Sequence, residues 1–133
     1  MQKTLVFFLA NVLVTQGFAA SFVLDNQVAK HTNNRKSKIA IQWATSGKQV
    51  EKNNTLLKLG KALDPHSLQA LTQIGKLKLT IPQKAEYFRV LLWTNGTKSP
   101  DFLTNWVDIE PNKTYTLDEG HLIPFVLMIG MGC

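Results

Sequence analysis

The sequence has almost no cysteine: the only one among 133 residues is the last, Cys133. No internal disulfide can form, so packing alone must hold the fold together. Acids are scarce as well, 9 against 15 Lys and Arg. The three histidines, His31, His66 and His121, stand nowhere at metal-ligand spacing, and no glycine-flanked serine elbow or phosphate loop occurs. Asp118, Glu119 and His121 share one turn, but a solvated acidic turn explains them without a metal. The chain is therefore expected to be non-enzymatic, with no cofactor and no metal. Repeats and low-complexity tracts are missing too. No apolar run in the body approaches the ~20 residues that a spanning helix needs, so no membrane span is expected once a leader is removed.

A leader is what the chain does have at its start. Lys3 precedes an apolar core over residues 5–14, followed by Thr15, Gln16 and a small-residue end with Gly17 and Ala19. That order is a secretory signal peptide, residues 1–19, cut after Ala19; a cut after Ala20 would put Phe18 where a small side chain is needed. Removing 19 of 133 residues leaves 114, the size of one domain, residues 20–133. Export without disulfides fits a bacterial periplasmic or secreted protein better than a small, stapled animal domain. The triplets beginning at Asn53, Asn95 and Asn112 match a glycosylation signal that matters only in a eukaryotic cell.

Charge is unevenly spread. From Ala20 to Arg89 twelve Lys or Arg face four acids, whereas from Val90 onward two Lys face five acids. The densest basic cluster is the polar stretch holding Lys30, Arg35, Lys36 and Lys38, read as a loop. A basic surface of this kind suits an acidic partner. Export leaves nucleic acid little opportunity, and no nucleic-acid-binding motif is present.

Most of the body alternates with a period of two, which marks strands. Residues 21–24 are a short apolar strand. Ile39, Ile41 and Trp43 alternate with Ala40, Gln42 and Ala44, and Ser46-Gly47 reads as a turn. Residues 50–60 are ambiguous, since Leu56, Leu57 and Leu59 suit a strand that Asn53-Asn54 breaks. Asp64 as cap, Pro65 at the first helical position and Leu68 and Leu71 on one face predict a short helix over residues 65–74, stopped by Gly75. Leu77, Leu79 and Ile81 form a strand with a basic outer face. Residues 85–94 are the central strand, ending at Asn95-Gly96. Strands over 103–109 and 114–117 follow, and the apolar end, with Pro124 and two glycines, reads as a buried closing strand. Short strands, regular turns and one helix predict a mainly β fold, an immunoglobulin-like β-sandwich with one short helix at about residues 65–74.

The aromatic residues carry the functional expectation. Pairing residues 85–94 with 103–109 so that Val90 meets Val107 and Phe88 meets Ile109 separates a core face from a surface face. The surface face then holds Tyr87, Arg89, Trp93 and Trp106, with Arg89 opposite Asp108. Aromatic rings beside an arginine bind sugars or anchor an interface; cover by the helix or a second sheet would make the same residues core. The chain is thus expected to be an exported binding or adaptor domain. Its partner would be an acidic or glycan-rich envelope component or another protein, held by the aromatic face and the basic loop. The alternative is a structural subunit of an envelope assembly, an oligomer docked through its apolar terminal strand and Cys133; a small hydrolase ranks last. The exported protein should have the mass of a chain beginning at Ala20, and a mass that retains residues 1–19 would refute the leader.

Overall fold

The computed structural model describes residues 19–28 and 37–128. The leader core, Lys30, His31, Arg35, Lys36 and Cys133 lie outside the described residues, as does the rest of the apolar terminal run beyond Met128. Strands β1 (Ser21–Asn26) and β2 (Lys38–Ala44) precede helix α1 (Gly47–Lys58). A 3₁₀ turn (Pro65–Ser67) leads into β3 (Leu68–Leu71), β4 (Gly75–Thr80) and β5 (Tyr87–Trp93). The short strands β6 (Phe102–Leu103) and β7 (Val107–Asp108) come next, then β8 (Thr114–Leu117), a second 3₁₀ turn (Glu119–His121), β9 (Ile123–Pro124) and one helical turn, α2 (Phe125–Met128).

The fold is mainly β, two sheets and one substantial helix. The smaller sheet has the order β4-β1-β8, with β1 antiparallel to β4 and parallel to β8. The larger has the order β3-β2-β5-β6-β9, and β7 also pairs with β5. One apolar core draws on both sheets: Phe22 and Leu24 of β1, Leu79 of β4 and Leu117 of β8 meet Ile39, Ile41, Trp43, Phe88, Val90 and Leu92. Phe22 stacks on Phe88 at 4.9 Å, and Tyr115 meets both rings edge-on. Offset and edge-to-face contacts of this sort add to area burial.

The period-two strands are where the sequence places them, but β2 is not buried on one face alone. Ala40, Gln42 and Ala44 are buried too. The reason is α1, which covers the second face of β2 and β5. Ser46 is not part of a turn; its hydroxyl accepts from the Gln49 N–H and caps α1. Residues 50–60 are thus helix, with Asn53 and Leu57 turned inward. Because Asn53 is buried, only the triplets at Asn95 and Asn112 stand exposed.

The helix expected over residues 65–74 is not formed. Asp64 does cap Pro65–Ser67, and its carboxylate, held low chiefly by the His66 N–H, accepts that bond. Leu68 is already extended, however, and β3 pairs with β2 from Leu71 opposite Ile39 to Leu68 opposite Gln42. Ladder pairing outweighs a weak local helix signal. The apolar terminus also departs from a buried strand: after β9 it makes the turn α2, with Val126 50%, Leu127 57% and Met128 39% exposed. No helix among the described residues is long and apolar enough to cross a membrane. Leu57→Ala should lower the unfolding free energy in urea by about 2–4 kcal/mol, while Leu59→Ala, on the solvent side, should cost less than about 0.5 kcal/mol. Equal losses would contradict the packing of α1.

Candidate functional site

Odd-numbered residues of β5 face α1, and β2 supplies their neighbours. Gln42 lies opposite Arg89, and Ala40 opposite Leu91. Trp93 is 5% exposed and packs with Leu91, Ala40, Leu57 and Leu103. Of the expected open face, Arg89 and Trp93 are therefore covered. The cover is α1 together with Leu63, Leu68 and Phe125. Arg89 is the unusual member, a cation 1% exposed. Its Nε donates to Gln42 Oε1 at 2.8 Å and its Nη1 to Asn54 Oδ1 at 2.8 Å. Trp106 lies over the guanidinium, 4.3 Å from ring centre to Cζ, and its indole N–H donates to the same Asn54 oxygen at 3.1 Å. Tyr87 and Trp106 are half-buried.

Every acceptor that Arg89 reaches among the described residues is a neutral carboxamide. Desolvation lowers the guanidinium to about 10, which leaves it charged at neutral pH. Three buried donors in this layer, Arg89 Nη2, Gln42 Nε2 and Asn53 Nδ2, have no hydrogen-bond partner among the described residues. Unmet buried donors are uncommon and call for a physical reason.

The pairing of β5 with the following chain differs from the expected register. Phe88 meets Val107 and Tyr87 meets Asp108, two residues from the expected pairing, while Leu91 meets Leu103. Three residues, 104–106, thus stand opposite two, Arg89 and Val90, which is a β-bulge. A slip of two keeps each face intact, so Phe88 and Val107 remain on the core side. The Arg89–Asp108 contact is lost, because Asp108 has moved to Tyr87. At the bulge the Thr104 N–H donates to the Val90 carbonyl, and the Val90 N–H donates to the Thr104 hydroxyl at 3.0 Å. The slip of two in β7 places Trp106 on Arg89 instead of Leu91.

On the other side of β5 a cleft of about 550 Å³ opens between the sheets. Leu24, Phe88, Val90, Val107 and Leu117 floor it, and Thr104, Asn105, Thr116 and His121 give it a polar rim. The free sides of β7 and β8 flank it, since each pairs with one strand among those described, β5 and β1 respectively. Tyr115 closes one end, its hydroxyl donating to the Asp108 carbonyl and accepting from the Glu110 N–H, both at 2.8 Å. A largely apolar recess with a few polar groups is the usual form of a binding site.

No family model matches this chain, and no curated protein matches it. Of the basic cluster only Lys38 is among the described residues; its ammonium sits 4.7 Å from the Trp93 ring. With Lys61 and Lys98 it lines a shallow recess of about 230 Å³ beside that ring. His66 bonds Asp64, and His121 closes the cap on Asp118. No group of three His, Cys, Asp or Glu side chains that could hold a metal occurs among the described residues.

Neither Asn54 nor Gln42 stands out in the sequence as a partner of Arg89, and the cleft residues Thr104 and Thr116 carry no signal at all. Thr104→Val should cost about 1–3 kcal/mol, since it strands the buried Val90 N–H, and should speed hydrogen exchange at that amide; Thr104→Ser should restore both.

Proposed function

We propose that this chain is an exported, non-enzymatic binding domain that takes an extended, partly apolar segment of a partner protein into the cleft between its sheets. The observation that carries the reading is the cleft itself, an apolar floor beside the unpaired sides of β7 and β8. An added strand would gain main-chain hydrogen bonds from such an edge while its side chains enter the floor. Of the three partner classes expected, this favours a protein over an acidic or glycan-rich envelope component. A glycan platform needs open rings, and Trp93 is covered. Export to the periplasm or beyond rests on the leader at residues 1–19. The architecture that goes with this reading is a β-sandwich of immunoglobulin-like kind, supported by the aromatic core that both sheets share. The parallel pairing of β1 with β8 is a departure from a purely antiparallel pattern.

The alternative, a structural subunit docked through its terminus, draws support from the exposed Val126, Leu127 and Met128. A photo-reactive phenylalanine analogue at Thr116, in the native envelope, separates the two. The binding reading expects a protein adduct whose yield falls about tenfold, the equivalent of ~1.4 kcal/mol, when Val107→Trp fills the cleft. The subunit reading expects an oligomer that Leu127→Asp dissociates and Val107→Trp leaves alone. An adduct to lipid alone, or one indifferent to Val107→Trp, would refute the cleft as a protein-binding site.

A further inference from the structure

Among the described residues, the layer between α1 and the large sheet holds the charge of Arg89 without an acid bonded to it. We infer that Arg89, with Gln42, forms a binding site for a carboxylate, and that Trp106 and Asn54 are its cover. Four observations carry the inference. Arg89 is 1% exposed, yet its hydrogen bonds go only to the carboxamide oxygens of Gln42 and Asn54. A buried charge that meets no opposite charge is costly, and neutral acceptors offset only part of that cost.

The unmet atoms are all of one kind. Arg89 Nη2 and Gln42 Nε2 are buried N–H donors without acceptors, on two side chains already joined through the Nε–Oε1 bond of 2.8 Å. Asn53 Nδ2, on the inner side of α1, is a third. A cluster of donors with an excess positive charge calls for an anion that accepts only.

The shape of the site selects among anions. Two unmet donors on side chains already joined match the two oxygens of a carboxylate, and a phosphate would bring further oxygens into a layer closed by the Trp106 ring, 4.3 Å from the guanidinium Cζ.

The site also has a way in. Trp106 is half-buried and is held over Arg89 by one hydrogen bond, 3.1 Å to Asn54 Oδ1, on the exposed edge of the layer. Asn54 itself is exposed. Rotation of the indole would give up that bond and the cation-π contact and open Arg89 to solvent.

The test titrates the full mature chain with sodium acetate, N-acetylaspartate amide, sodium phosphate and sodium chloride at matched ionic strength, following melting temperature and the Arg89 Nε–H resonance. Acetate or the aspartate derivative should raise the melting temperature saturably above chloride and move that resonance, phosphate should act like chloride, and the stronger of the first two tells a free acid from an acidic side chain. Arg89→Met should abolish the effect. Trp106→Phe, which keeps a ring but loses the bond to Asn54, should lower the acetate midpoint several-fold. If acetate and the aspartate derivative match chloride in the wild type, the donors are met by water and the inference falls. A shift that persists in Arg89→Met, or an equal response to phosphate, overturns it as well. Should Arg89→Met fail to fold, the wild-type Arg89 resonance decides, and a resonance unmoved at saturation refutes the site.

Discussion

The helix side of this protein is arranged around one buried guanidinium. A central strand that buries both faces has nowhere to send a cation, and Arg89 sits in the middle of β5. The charge is held by two carboxamide oxygens, that of Asn54 from α1 and that of Gln42 from β2. Burial of such a group without an opposite charge opposes folding, so the surrounding apolar contacts of Leu57, Leu91, Trp93 and Leu103 must outweigh it. Leu57 of α1 packs with Leu91, Trp93 and Leu103, and that apolar contact holds the helix across β2 and β5.

The same constraint explains what could and could not be read from the sequence. Strands whose apolar residues alternate, β1, β4 and β8, were legible because one buried face imposes the period directly. Helix α1 was not, although Ser46 followed three residues on by Gln49 is a helix-start signature. Asn53-Asn54 hid it, since asparagine is a poor helix former. Those asparagines are there for the polar layer, Asn54 as acceptor for Arg89 and Trp106, and no local rule contains a partner 35 residues away.

Two other misreadings have different causes. At residues 65–74 the local signals were correct as far as they went: Asp64 caps and Pro65 starts a turn. What they omit is that β2 has a free edge for β3 to pair with, and a ladder of four residues decides against a ten-residue helix that would be marginal alone. The partner of β5 was misread because pattern gives parity, not register. Core and helix faces were separated correctly, so Trp106 was rightly put on the side of Arg89. The slip of two in β7 changes which residue it meets, and the bulge at residues 104–106, which separates the registers of β6 and β7, leaves no compositional mark.

That bulge is also where the two candidate sites meet. Even-numbered residues of β5, Phe88 and Val90, floor the cleft, and odd-numbered Arg89 faces α1, so the strand divides the sites cleanly. The chain opposite does not. Thr104 and Asn105 line the cleft, and Trp106, the next residue, covers Arg89. In a regular strand Thr104 and Trp106 would lie on one side of the sheet and Asn105 on the other. The bulge lets one short stretch present hydroxyl and amide groups to one side of the sheet and an aromatic ring to the other, which no regular strand of three residues provides.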